Sequence, residues 1–380
     1  MNRYSLSLGK IFGIPVSIHW TFWIIILWII YTGSVAGDSF EELAWHILFV
    51  FSLFACVGLH ELGHALTAKR YGIKTKSITF FPIGGVARLS RMPKEPVQEL
   101  TITIAGPLVN LAIAILLFVG LGLSGNASFG MENLEQYSTI NAENFLFMLF
   151  ISNIVLFLFN LIPAFPMDGG RILRALIAMK TSYRTATQMA VTVGQVFAIM
   201  FVFVGLIINP FLIIIAMFIF ISAQSELMYA IFSESLSNST AKDVMMRKLT
   251  TFSIDDSLEA AATEIINGQD KIFLVKDEIG TSGYFTKNDI IKGLSFIGKK
   301  APIKHIMRSD PKWVKNKTSA SEIWDIMMQE NEAIIFVGEK RRLDGVINFE
   351  NLKEWVSLNN SDLKFQKNEE AFFNKEFAYK

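Results

Sequence analysis

The sequence predicts an α-helical polytopic membrane protein of about six transmembrane helices, followed by an α+β module built from two copies of one unit. Three observations carry that expectation. Long apolar stretches fill the chain to about Phe232, and charge returns after it. The 380 residues are 52% hydrophobic, with a mean hydropathy of +0.40, too apolar for an ordinary soluble protein. Short segments between residues 240 and 356 recur at one fixed offset: Val244-Met245 returns 62 positions later as Ile306-Met307. The expected layout is a membrane domain over 1–235, a soluble module over 240–356 and a flexible tail over 357–380.

The first span covers about 16–32. Arg3 and Lys10 precede it, and Ser34-Val35-Ala36 resembles a signal-peptidase site. The apolar stretch is long for a signal peptide, so a retained helix is expected. The second and third spans cover about 43–68 and 97–121. The fourth begins near Phe145 and is broken by Pro163 and Pro166. The fifth and sixth, 190–208 and 211–232, form a hairpin turned at Asn209-Pro210.

The charges fit this count. Lys69, Arg70, Lys74, Lys76, Arg88, Arg91 and Lys94 follow the second span, and Arg171, Arg174, Lys180 and Arg184 follow the fourth. The opposite loops, 33–42 and 124–144, hold no Lys or Arg. The positive-inside rule then puts both termini and the soluble module in the cytosol of a multi-pass protein, expected in the plasma membrane. A net charge of +1 gives no sign of a nucleic-acid partner, and none is expected. The lone Cys56 excludes an intrachain disulfide framework. Residues 77–89, between the second and third spans, read as strand, turn and strand. Such a strand can pair with an extended peptide, or serve as a structural hairpin alone.

The second span carries His60-Glu61-Leu62-Gly63-His64. Histidines four apart share one helix face and can grip one zinc ion, with the glutamate beside them as general base. The competing reading is a histidine pair bonded to neighbouring polar groups. Three ionisable groups within a turn and a half of a membrane span are costly, which favours function. A catalytic zinc commonly has three protein ligands and one open position. His19, His46 and His305 are poor candidates for the third, each lying elsewhere in the chain. Asp168 is the better one, in the stretch from Asn160 to Gly170 where two prolines break the fourth span. Broken backbone at membrane depth is tolerated where protein buries it or it lines a polar cavity. An Asp-capped cytosolic helix end is the alternative. Cys56, one turn before His60, is expected to pack rather than ligate. Asn110 on the third span can bond across helices, in a structural or a catalytic role.

HELGH followed by NLIPAFPMDGG resembles the site-2 protease family of intramembrane zinc metalloproteases. Ala105-Gly106-Pro107-Leu108-Val109-Asn110 and the Gly84-Gly85 stretch add to the likeness, which covers the first 230 or so residues in order. The resemblance implies one Zn2+ per chain held by His60, His64 and Asp168 on spans two and four. It implies Glu61 as catalytic base and Asn160 as a stabiliser of the oxyanion. It also implies a single-span membrane-protein substrate cut in or near its transmembrane segment, of the kind of an anti-sigma-like factor or a transcription-regulator precursor. No PDZ-like insertion is present, as in the compact branch with a C-terminal regulatory domain.

The 62-residue repeat resembles a tandem of cystathionine-β-synthase (CBS) domains. Residues 271–275 return as 333–337, and Gly283 as Gly345. The first copy keeps a G-x-x-T-x-x-D pattern, in which the resemblance implies that Thr286 and Asp289 bind the ribose of ATP or AMP. Asn348 and Asn351 replace them in the second copy. A purely structural pair, or one that joins two chains as a homodimer, is the alternative. Two rival function classes are a CBS-regulated transporter and a proteolytically inactive scaffold. The intact Glu61 and the three-ligand set oppose both.

Overall fold

The computed structural model describes residues 5–90, 93, 95–123, 140–268, 270–330, 332–340 and 342–359. They fall into two units, divided between residues 230 and 231. The expected tail lies almost wholly outside the described residues; 357–359 continue the last helix.

The first unit opens with β1 (Ser5–Ile11) and β2 (Ile14–His19), and only then α1 (Trp23–Ala36). This corrects the first span expected at 16–32, whose first four residues are strand. The cause is local. Ile14, Val16 and Ile18 are buried while Pro15 is exposed, a period of two that a helix cannot satisfy. Three β-branched residues at the buried positions favour the pleated backbone.

Helix α2 (Phe40–Arg70) starts in a capping box between Ser39 and Glu42 and ends on Lys69 and Arg70, which complement its dipole. The strand-turn-strand reading holds: β3 (Thr75–Phe81) pairs antiparallel with β4 (Gly84–Leu89). The sheet order is β1-β2-β3-β4, so β4 is an edge. The sheet packs on α2, burying Ile14, Val16, Ile18, Ile78 and Phe80 against Leu62 and Ala65.

There follow α3 (Pro96–Leu123), α4 (Phe145–Asn160), α5 (Asp168–Ala178), α6 (Tyr183–Ile207) and α7 (Phe211–Ser235). By length and composition α2, α3, α6 and α7 can cross a membrane; α1 and α4 are shorter apolar helices. The break between α4 and α5 is held by protein at Ala164, Phe165 and Met167, while Leu161 and Pro166 are exposed. Ala164 and Met167 pack on Ala198, Ala216 and Ile219, and Phe165 packs on Ala190, Val191 and Ala223. At those three residues the packing meets the condition for irregular backbone at membrane depth.

The second unit repeats one pattern. The first copy holds α8 (Ala241–Val244), β5 (Thr251–Ser253), α9 (Leu258–Asn267), β6 (Ile272–Asp277), β7 (Gly280–Thr286) and α10 (Lys287–Phe296). The second holds β8 (Lys312–Val314), α11 (Ala320–Glu330), β9 (Ile334–Glu339), β10 (Arg342–Asn348) and α12 (Phe349–Asn359). Each copy forms a three-stranded sheet, and the two bury a shared face of Ile272, Leu274, Tyr284, Ile334, Phe336 and Val346. Two isolated bridges stitch the copies reciprocally, Met246 to Val346 and Arg308 to Tyr284, each pair displaced by the repeat offset from the other.

Candidate metal centre

His60 and His64 lie at i and i+4 on α2, so both rings leave one face of the helix. Their planes are nearly perpendicular and their Nε2 atoms are 3.1 Å apart. Asp168, the first residue of α5, brings Oδ2 to 3.2 Å from each Nε2. Among the described residues these three form the one cluster able to hold a metal ion; Cys56 is buried outside it. The N-cap of α5 is Met167, and Asp168, one residue on, turns Oδ2 to the histidines.

The donor set fits zinc. Two ligand atoms at about 2.0–2.1 Å from zinc, near the tetrahedral angle, stand about 3.3 Å apart, as these three do. Asp168 Oδ2 is buried, and the two Nε2 atoms are its polar neighbours. His64 Nδ1 is 2.8 Å from the carbonyl oxygen of Ile102, which only accepts, so Nδ1 carries a proton and the neutral ring offers its Nε2 lone pair to a metal. Lone pairs converging on one buried point repel each other unless a cation sits among them. Helix α3 approaches closely enough to supply such partners because of Gly106: a Cβ there would collide with the ring nitrogens of both histidines. His60 Nδ1 lies 2.5 Å from Asn110 Oδ1, also on α3. Gly169 and Gly170 serve α5 similarly, since a Cβ on either would strike the backbone of the break.

Glu61, which follows His60 on α2, lies close to the cluster and also reaches β4. Its Oε2 accepts from the Ala87 backbone N–H at 3.1 Å. Ala87 is in register with Ile78 on β3, yet its N–H turns away from β3, so the free edge of β4 faces Glu61. Asn160 ends α4 beside the break; its Nδ2 donates to the Leu156 carbonyl at 3.0 Å.

A second group of polar residues was not singled out in the sequence. Arg174 of α5 is 1% exposed, is paired with Glu99 of α3, and donates to Glu226 of α7 at 2.7 Å. Its guanidinium lies 5.0 Å from the Phe165 ring and 4.9 Å from that of Tyr183. Asn153 of α4 receives the Asn110 amide at 3.0 Å. The signal for these residues was present: polar side chains inside apolar helices need partners. What the sequence lacks is which helices meet.

In the second unit Thr286 and Asp289 bond to each other. Thr286 Oγ1 and backbone N reach Asp289 Oδ2 at 2.7 and 2.9 Å, which caps α10. Arg308 pairs with the other carboxylate oxygen at 3.0 Å. A cleft of about 610 Å³ opens between the copies, lined by Arg247, Lys248, Thr250, Lys276, Asp344 and their neighbours; Thr286 and Asp289 do not line it.

Comparison with known proteins places these features. The model of peptidase family M50 matches residues 48–133 and 123–203, and the CBS domain model matches 241–295 and 303–358. The zinc metalloprotease MJ0392 of Methanocaldococcus jannaschii is 34% identical over 94% of this chain and 97% of its own length. The Synechocystis protein sll0528 is 32% identical over 65% of each chain. A solved structure of the site-2 protease from Methanocaldococcus jannaschii shares 39% identity, covering 59% of this chain and 95% of that one, with a TM-score of 0.43. The chain is thus a membrane-embedded zinc metalloendopeptidase of the M50, or site-2 protease, family, with a tandem CBS pair after its protease domain.

Proposed function

We propose that this protease cuts single-span membrane proteins in or beside their transmembrane segments, and that membrane-tethered signalling proteins are its substrates. The carrying observation is the meeting of His60, His64 and Asp168 in one largely buried cluster, the histidines on an apolar helix and the aspartate after a helix break. In this reading those three residues hold the zinc. Bound zinc lowers the pKa of a water and polarises the scissile carbonyl. Glu61 takes the proton of the attacking water and returns it to the leaving amine. Asn160 donates to the developing oxyanion; such a donor is typically worth about 3 kcal/mol.

The substrate must unwind first, because the carbonyls of a helix are occupied by its own N–H groups. The β4 edge offers an unwound segment a place to pair, with Glu61 beside it. The basic segments flanking the spans support cytosolic termini and a cytosolic CBS pair. The cleft between the copies, with three cationic side chains on its wall, suits the phosphates of ATP or AMP, which would regulate the protease by favouring one conformation.

Metal analysis of detergent-purified protein tests the centre. The expected result is about one zinc per chain, largely lost in Asp168→Ala. Zinc absent from the native protein, or untouched by the substitution, would remove the three-ligand centre and reopen the transport and scaffold readings.

A further inference from the structure

We propose that Asn153, acting through Asn110, is a positioning residue that fixes the tautomer of His60. The inference rests on the zinc-site reading above. A chain of three bonds runs across three helices. His60 Nδ1 meets Asn110 Oδ1 at 2.5 Å, Asn110 Nδ2 donates to Asn153 Oδ1 at 3.0 Å, and Asn153 Nδ2 donates to the Leu149 carbonyl at 2.8 Å.

An isolated carboxamide can be turned either way, since its two ends have nearly the same shape. The far end of this chain removes the choice. The Leu149 carbonyl only accepts, so Asn153 must turn its Nδ2 to it. The Oδ1 of Asn153 then faces Asn110, which must present its own Nδ2. Asn110 is left with Oδ1 towards His60, and Nδ1 must carry the proton. An imidazole protonated at Nδ1 keeps its Nε2 lone pair for the metal. His64 reaches the same state through the Ile102 carbonyl directly. Both asparagines are fully buried and His60 is 6% exposed, so bulk water does not substitute for a lost link. Cutting the chain at Asn153 frees Asn110 to rotate and offer Nδ2 to Nδ1, which draws the proton to Nε2 and blocks the ligand atom.

The test is zinc affinity of the full-length protein in detergent, measured by competition with a chromophoric chelator, beside thermal melting of the zinc-free form. Asn153→Leu is expected to weaken zinc about 10- to 100-fold, with the zinc-free protein still folded though melting somewhat lower because the Asn110 amide loses its partner. The double variant Asn110→Asp with Asn153→Leu is expected to recover most of that loss, because a carboxylate accepts from Nδ1 in either orientation. A role in packing alone gives no such rescue. Native zinc affinity in Asn153→Leu, or a folded double variant no better than the single one, overturns the proposal while the zinc site stands. A native protein without zinc sinks the site itself. A further measurement needs no variant at residue 153: ¹⁵N histidine spectra of the zinc-free protein, assigned with His60→Gln. Protonation of His60 at Nδ1 supports the proposal, and protonation at Nε2 overturns it.

Discussion

Glu61 sits between the two halves of the site. Its neighbours on α2 are the histidines, and its carboxylate is tied to the Ala87 N–H of β4. Glu61→Gln keeps the volume and an oxygen for that N–H, but removes the proton acceptor. Substrate cleavage should fall at least ~10²–10⁴-fold while metal analysis still finds one zinc per chain. Cleavage at the native rate would take Glu61 out of the chemistry. His60, Glu61 and His64 were legible in the sequence because helical spacing alone brings them together. Asp168 was legible through the paired prolines, which mark a break that something must use. Asn153 was not, since its partner Asn110 is 43 positions away and the bond exists only where α3 packs on α4. Thr286 shows the opposite hazard. The pattern that reads as a ribose site is also a helix cap, and the second copy keeps the cap with Asn348, whose Oδ1 accepts from the Asn351 N–H at 2.8 Å. Thr286→Ala should destabilise the second unit by about 1 kcal/mol in denaturant titration with no nucleotide present. No change would deny the capping role.

At the scale of elements, charge misleads where it is buried. Arg174 reads in sequence as one more cytosolic marker, yet it is clamped between Glu99 and Glu226. It stands two turns into the helix that begins with Asp168, so α3 and α7 hold the carrier of the third ligand from two sides. Arg174→Ala leaves Glu99 buried without its partner and should cost about 3–5 kcal/mol of stability, read as a lowered unfolding midpoint in detergent. A loss below about 1 kcal/mol would show that the pairing is relaxed or solvated. The first span was misplaced for a related reason: hydropathy does not distinguish an apolar strand from an apolar helix, and only the alternation at Ile14, Val16 and Ile18 does. The free edge of β4 gives a further prediction. Proline lacks an N–H, and at residue 87 that group is absent from the β3 ladder, a position where a sheet edge tolerates proline. Ala87→Pro removes both the edge donor and the bond to Glu61, and should keep zinc but lower kcat/KM about tenfold or more. Unchanged kcat/KM would leave the β4 edge a structural hairpin.

For the molecule as a whole, the repeat offset predicts two equivalent clefts in the CBS pair, and the structure makes them unequal. Carried forward by the offset, Met246 becomes Arg308, and Arg308 is engaged: it pairs with Asp289 at 3.0 Å and lies 5.9 Å from the Tyr284 ring. At the first position Arg247, Lys248 and Lys276 outnumber the two lining carboxylates, Asp270, bonded to Thr250 at 2.6 Å, and Asp344, bonded to Asn316 at 2.8 Å, so the cleft keeps a net positive charge. A nucleotide phosphate therefore has a cationic wall in one cleft and a closed ion pair in the other. Calorimetric titration of the full-length protein with ATP and AMP should show one binding event per chain. Lys276→Ala should weaken it about tenfold, about 1.4 kcal/mol, while Asp289→Asn leaves it nearly unchanged. The reverse pattern would move the nucleotide to the Thr286 motif, where Arg308 must first release Asp289. No heat with either nucleotide at millimolar concentration would leave the pair a structural module, and control of the protease by adenine nucleotides would fall.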